Sequence, residues 1–242
     1  MAKINEINYL SILSEKDGAS LDQINQYHLN KPFCDHERAR YLMDIAQILQ
    51  LLPAPPARLL DAGVGSGWTS RMFALSGYNV IGIDISPDMI GLAEKLCEGV
   101  RNVEFHALDY EKGFDLGSFD CAVIYEALHH ADNPGAAVRS IYEALKPGGT
   151  FVTIEPGRGH AAASAEIMAK YGTTEKDMDY AIQVELMRTA GFSSIKKYMR
   201  LSVLYWLDIS TDAGEKEQQV QLGGALYNLR ELGLSSVVVA TK

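Results

Sequence analysis

The spacing of apolar residues changes several times along the chain, and each change predicts a different element. Over residues 36–52, Tyr41, Leu42, Ile45, Ile48, Leu49 and Leu52 recur at intervals of three and four, which gives a helix one apolar face. Asp35 can cap that helix, and Pro53-Ala54-Pro55-Pro56 stops it. Upstream, Ile4, Ile7, Leu10, Leu13, Leu21 and Ile24 predict two short helices about the turn Asp17-Gly18, with Ser20 as an N-cap. Downstream, short apolar runs alternate with helical stretches. Leu59-Leu60 leads into Asp61, and Val80–Ile83 into Asp84. Val103–Ala107 leads towards Asp109, and Thr150–Glu155 ends on an acid. Phe119–Tyr125 is apolar almost throughout, as expected of a strand buried on both faces of a parallel sheet. Between the strands lie a helix after the glycines at 63–67, a helix starting at Ser86-Pro87, and one over 135–145.

Strand and helix in alternation predict an α/β fold, a doubly wound, seven-stranded and mostly parallel sheet with helices on both faces. The sixth and seventh strands are expected at Ser194–Leu201 and Val237–Thr241, after helices over 161–170 and 175–190. Residues 1–242 read as one domain, with a helical cap over 1–52 and an insertion over 202–234 that carries a helix near 215–232. An insertion that long exceeds what two strands need as a connection, so it either covers a site or pairs two copies as a homodimer. A ligand belongs beyond the carboxyl ends of the strands. Asp61, Asp84, Asp109, Tyr125-Glu126 and Glu155 all fall at those ends.

Composition narrows the partners. A formal charge of −9 disfavours nucleic acid, the dense basic stretch being Lys196, Lys197 and Arg200 on an expected strand edge. Cys34, Cys97 and Cys121 are odd in number and scattered, which argues against disulfides or a zinc site and fits a reducing cytoplasm. No apolar run approaches the ~20 residues of a membrane span. The partner left is a small molecule.

The chemistry concentrates at 61–67, D-A-G-V-G-S-G. Gly63, Gly65 and Gly67 let the backbone turn sharply and approach a ligand where a Cβ would intrude. With D-I-S-P at the second strand's end and L-K-P-G-G before the fifth, this order of motifs resembles the class I S-adenosylmethionine-dependent methyltransferases over about residues 55–155. The resemblance implies that Gly63, Gly65 and Gly67 pack against the methionine part of S-adenosylmethionine, with Asp61 orienting their loop and approaching the amino-acid portion. It also implies that Asp84 binds the ribose hydroxyls, Asp109 and the Tyr110 backbone meet the adenine amino group, and Met89 covers the ring. Ile85 and Tyr125 join the same cofactor site. An NAD(P)-dependent oxidoreductase is the rival, but its fingerprint is G-x-G-x-x-G rather than G-x-G-x-G. A non-catalytic S-adenosylmethionine binder is the third reading.

Methyl transfer needs a base only if the acceptor must lose a proton. Glu126, His129 and His130, in the loop after strand four, are the candidates; each His is also a natural loop-shaping residue. His160 and Glu155 are further contenders, and no metal is expected. Trp68 fits the cofactor's cover or the core equally. Tyr9, Lys31 and Phe33 suit a lid, and Arg158 an acidic acceptor. The acceptor is expected to be a small molecule with an oxygen or nitrogen nucleophile. The segments 170–178 and 30–35 resemble stretches of uncharacterised bacterial methyltransferases linked to glycan modification, which points to a sugar or glycan precursor.

Overall fold

The computed structural model describes residues 2–200 and 236–242, so the expected insertion over 202–234, its helix and its pairing role lie outside the described residues. Helices α1 (Ala2–Ile7), α2 (Tyr9–Asp17), α3 (Leu21–Leu29) and α4 (Arg38–Leu51) precede the sheet. Then come β1 (Arg58–Ala62), α5 (Trp68–Leu75), β2 (Asn79–Asp84), α6 (Pro87–Leu96), β3 (Val103–Ala107), β4 (Phe119–Tyr125), α7 (Pro134–Ala144) and β5 (Leu145–Glu155). Helices α8 (His160–Ala163), α9 (Ala165–Tyr171) and α10 (Tyr180–Ala190) lead to β6 (Ser194–Met199) and β7 (Ser236–Thr241). The sheet order is β3-β2-β1-β4-β5-β7-β6, parallel except for β7, which runs antiparallel to both neighbours. This is the doubly wound architecture expected from the alternating pattern.

Strand periodicity separates two cores. Leu60, Ala122, Ile124, Phe151 and Val238 face α7 and α10, packing on Val138, Ile141 and Met187. Their chain neighbours Leu59, Cys121, Val123, Val152 and Val237 face the other way, onto Ile45 and Ile48 of α4 and Phe73 of α5. A residue step along a strand moves a side chain from one core to the other, which is why the central strands carry almost no polar positions. Trp68 belongs to the second core, edge-on to Tyr125 with ring centroids 5.8 Å apart, rather than over a ligand.

Local chemistry explains most element ends. Ser20 forms a capping box with Gln23, and Ser86 caps α6 ahead of Pro87. Several boundaries differ from the sequence expectation. The N-terminal segment makes three helices, with a break at Asn8. Helix 161–170 divides at Ser164 into α8 and α9. The expected helix at 175 starts only at Tyr180, because Asp179 accepts hydrogen bonds from the Ala181 and Ile182 amides and so caps it. The non-helical residues before it are held elsewhere: the Thr174 amide donates to Glu6, and Lys176 Nζ donates to the Ala131 and Asp132 carbonyls. The basic edge is also corrected. Arg200 is buried and pairs with Asp44 and Glu126, so it offers no cationic surface.

Gly67 has φ 78°, and a Cβ there would stand 2.6 Å from the Ala93 Cβ and 3.0 Å from its Cα. Gly148 has a similar φ of 77° but open space around it. Gly67→Ala is therefore expected to lower stability by about 2–5 kcal/mol, combining left-handed strain with overpacking, and Gly148→Ala by about 1–2 kcal/mol. Urea denaturation of the two variants checks the difference.

Candidate active site

At the carboxyl ends of β1 and β2 the chain makes a turn whose amides are used internally. The Gly63 and Val64 amides donate to the Ile83 carbonyl, and the Gly67 amide to Val64. The Gly65 amide donates to Asp84 Oδ2 at 2.8 Å, while the Ser86 amide donates to Asp84 Oδ1 at 2.9 Å. Each Asp84 oxygen thus keeps one lone pair. Burial pushes this carboxyl's pKa up, against the two amides, which stabilise its ionised form. Gly63 has φ 78°, and a Cβ there would come 2.4 Å from that of Ala127, so glycine is required for the two loops to meet.

These groups open on a cavity of about 250 Å³ lined by Gly63, Gly65, Asp84, Ile85, Met89, Asp109 and Tyr110. Seven of the ten residues expected at the cofactor are thereby brought together. The other three lie outside the lining. The Asp61 carboxylate is buried and accepts from the Thr69 and Ser70 hydroxyls, both at 2.7 Å, so it fastens the start of α5 to β1. Gly67 packs on Ala93. The Tyr125 hydroxyl points to Asp44, donating at 2.8 Å.

The opposite wall comes from the loops after β4 and β5 and from the N-terminal helices. Glu155, fully buried, accepts from the Ala127 and Leu128 amides through Oε1 and from the His129 amide through Oε2. It also holds His129 Nδ1 at 2.7 Å. Burial opposes charge on His129, but its hydrogen bonds to Glu155 and Glu175 raise its pKa to about 10. Glu175 is held low, at about 2, where the histidines around it outweigh burial. His129 does not line the cavity; His130 does, with Nδ1 2.8 Å from the Thr174 carbonyl. Since a carbonyl only accepts, Nδ1 carries a proton and is the donor in that bond.

Glu126 also lines the cavity, at φ 47°, a left-handed conformation that costs a non-glycine residue strain. Its Oε1 takes Arg40 Nη1 at 2.6 Å and Arg200 Nη2 at 2.7 Å. Burial raises its pKa, but Arg200 and Arg40 together hold it below the usual carboxylate range. It is a salt-bridge anchor, poorly suited to take a proton.

Lys3, Glu6 and Tyr9 of α1 and α2 close the cavity. Lys3 Nζ pairs with Asp109 at 2.8 Å and Glu111 at 2.9 Å. Of the expected lid residues only Tyr9 is on the lining. Lys31 sits over the Tyr27 and Tyr41 rings, and Phe33 is exposed. Arg158 pairs with Asp179. Lys3, Glu6, Glu111, Thr173 and Glu175 carry no motif, and nothing in the sequence marked them as cavity residues.

A pyrophosphate needs free amides at such a turn, and here those of Gly63 and Val64 are spent on Ile83 and that of Gly65 on a carboxylate. That arrangement repels an anion and suits ribose hydroxyls. Residues 60–153 match the model of a methyltransferase domain. Over that stretch the chain is similar to the S-adenosylmethionine-dependent methyltransferases. It is 36% identical over 124 residues to a ubiquinone biosynthesis O-methyltransferase of Xanthomonas campestris pv. campestris, covering 48% of this chain and 51% of that protein. It is 33% identical over 97 residues to a demethylmenaquinone methyltransferase of Tropheryma whipplei, covering 40% and 41% of the two chains. The chain therefore spans about half the length, or less, of these curated relatives. In fold it resembles Haemonchus contortus phosphoethanolamine N-methyltransferase 2 bound to S-adenosylmethionine, at TM-score 0.65 and 19% identity over 96% of this chain and 59% of that one. A Thermotoga maritima S-adenosylmethionine-dependent methyltransferase matches at TM-score 0.63 and 20% identity over 96% and 99%. S-adenosylmethionine is the family's cofactor, and the cavity fits it: Asp84 keeps two lone pairs, Met89 offers an apolar surface, and nothing within 4 Å fills the Cβ position of Gly65.

Burial raises the Asp61 pKa from 3.8 to about 6, against the Ser70 and Thr69 hydroxyls. A folded-state pKa above the unfolded one gives stability that is present below about pH 4 and lost as pH rises towards 6. Wild type should therefore lose stability relative to Asp61→Asn across that interval and hold a constant difference above it. Urea midpoints of both proteins at a series of pH values test the sign.

Proposed function

We propose that the protein transfers a methyl group from S-adenosylmethionine to a hydroxyl of a small molecule, with His130 as the base. The observation that carries the reading is one cavity holding both halves of the chemistry, Asp84 with the glycine turn on one wall and His130 on the other. S-adenosylmethionine would supply an electrophilic methyl carbon on a sulfonium, to which the acceptor oxygen bonds in line as the carbon–sulfur bond breaks and S-adenosylhomocysteine leaves. Asp84 is suited to accept from the ribose hydroxyls, Asp109 and the Tyr110 backbone to hold the adenine amino group, and Met89 to cover the ring. His130 Nε2 takes the acceptor's proton, while the Thr174 carbonyl keeps Nδ1–H in place. Holding acceptor and methyl in line can itself lower the barrier by roughly 7–11 kcal/mol.

The wall also selects the acceptor. The cavity is lined by six carboxylates, Glu6, Asp84, Asp109, Glu111, Glu126 and Glu175, against one lysine, Lys3. Lys3 is committed to Asp109 and Glu111, and the arginines beside Glu126 are committed to it. Such a site favours the sulfonium cation and a neutral hydroxylated acceptor over a phosphorylated or carboxylated one. A sugar has that character, and so does a quinol of the kind suggested by the relatives' names. The three free thiols, Cys34, Cys97 and Cys121, support a reducing cytoplasm as the setting.

Binding and turnover are tested separately. Calorimetry with S-adenosylhomocysteine should give a Kd weakened at least tenfold by Asp84→Ala, or about 1.4 kcal/mol; NAD binding more tightly than S-adenosylhomocysteine would sink the reading. With S-adenosylmethionine and a panel of neutral phenols and sugars, S-adenosylhomocysteine should accumulate. His130→Ala should then lower kcat by about 10²–10⁴ while leaving the S-adenosylhomocysteine Kd unchanged. Unaltered kcat removes His130 as base, and a bound but never consumed cofactor leaves a binding protein.

A further inference from the structure

Beside the methyl-transfer cavity, three side chains from three separate loops turn their ligand atoms towards one point. They are His129 after β4, His160 after β5, and Glu175 ahead of α10, with all ligand atoms within 4.8 Å of one another. His129 Nε2 lies 3.4 Å from Glu175 Oε2, and His160 Nε2 lies 2.8 Å from the same oxygen. The two imidazole rings stand edge to face at 88°, centroids 4.9 Å apart. Ligands about 2.1 Å from a tetrahedral zinc ion are separated from each other by about 3.4 Å. The first distance already has that value, and the second needs to open by about 0.6 Å.

The surroundings match as well. A histidine that ligates a metal normally gives its other N–H to a carboxylate, which fixes the tautomer and leaves the second nitrogen free for the ion. Glu155 Oε2 holds His129 Nδ1 at 2.7 Å, and Glu155 is itself fixed by three backbone amides. His129 and Glu175 are largely buried, so the donors are preorganised, while His160 stays partly exposed and provides an entry side.

We propose that His129, His160 and Glu175 bind one divalent transition-metal ion, zinc foremost, with Glu155 as the supporting acceptor behind His129. Two imidazoles and one carboxylate are a borderline donor set that suits Zn²⁺ or Co²⁺ and not Mg²⁺ or Ca²⁺. Three protein ligands leave a fourth position open, as in ion sites that take up water or a substrate oxygen. Because Glu175 also lines the methyl-transfer cavity, the ion stands at its wall. Metal binding is read out without any methyl acceptor, so this inference stands or falls apart from the activity proposed above.

The test uses the full chain, stripped with a chelator and titrated with Co²⁺ and then Zn²⁺. One ion per chain is expected, with the visible absorption of four- or five-coordinate Co²⁺, displacement of Co²⁺ by Zn²⁺, and protons released on binding. His160→Ala and Glu175→Gln should each weaken binding by on the order of a hundredfold, at the upper end of what even a supporting-residue change costs. Circular dichroism should show both folded; His160 is partly exposed, and Glu175→Gln keeps its shape. His36→Ala, in the exposed cluster Asp35-His36-Glu37, should change nothing. Absence of binding, binding of equal strength in both variants, or loss of it in His36→Ala would each overturn the site.

Discussion

One buried carboxylate holds the reactive half of this protein together. Glu155 ends the interior strand β5 and has no solvent exposure, so its carboxyl oxygens need donors around them. Those donors are the amides of Ala127, Leu128 and His129, together with the His129 ring. The interaction therefore does two jobs. It satisfies a carboxyl in the core, and it fixes the loop after β4 as a tight turn whose next residue, His130, stands on the cavity wall. Removing one side of such a pairing leaves an uncompensated group in the interior, which costs far more than the net value of the bonds themselves. The strained φ of Glu126 lies at the start of the same turn, held by its amide bond to the Ile154 carbonyl and by two arginines.

The donor half is arranged by the opposite device. There a carboxylate at the cavity edge, Asp84, receives two amides and stays partly open to the cavity. The glycine turn supplies one of those amides and spends those of Gly63, Val64 and Gly67 on carbonyls. Two turns that look alike in sequence thus differ in polarity: one with free amides attracts phosphate, and one closed on an aspartate attracts hydroxyl donors. The N-terminal helices finish the enclosure through Lys3 on Asp109 and Glu111, and through the Thr174 amide on Glu6.

The donor half was legible in the sequence because each of its parts has a local cause. A turn with positive φ needs glycine, a strand buried on both faces needs an unbroken apolar run, and an acid after such a run lies at the ligand end of the sheet. Ser86-Pro87 announced α6 for the same reason. The acceptor half was not legible, since it is made of long-range pairings. Glu6 meets Thr174 across 168 positions of the chain, and Glu175 gathers histidines from two other loops. Asp61 shows the limit of pattern reading in miniature. Its place at a strand end suggested a ligand contact, whereas the hydroxyls of Thr69 and Ser70, in the first turn of α5, both donate to its Oδ2.

The same division explains why this fold alone leaves the reaction open. A [4+2]-cyclase, SpnF, shares it at TM-score 0.58 and 17% identity over 99% of this chain. What the sheet provides is a glycine turn with an acid beside it, Asp84, at the ends of β1 and β2. What happens to a second molecule is set by the loops after β4 and β5 and by the helices laid over them. In this chain those loops carry three histidines and two buried or half-buried glutamates within mutual reach, against a wall of carboxylates. The turn that carries His130, and the place of His129 beside His160 and Glu175, both rest on the position of Glu155. The shape of this wall therefore depends on a core carboxylate that does not itself line the cavity.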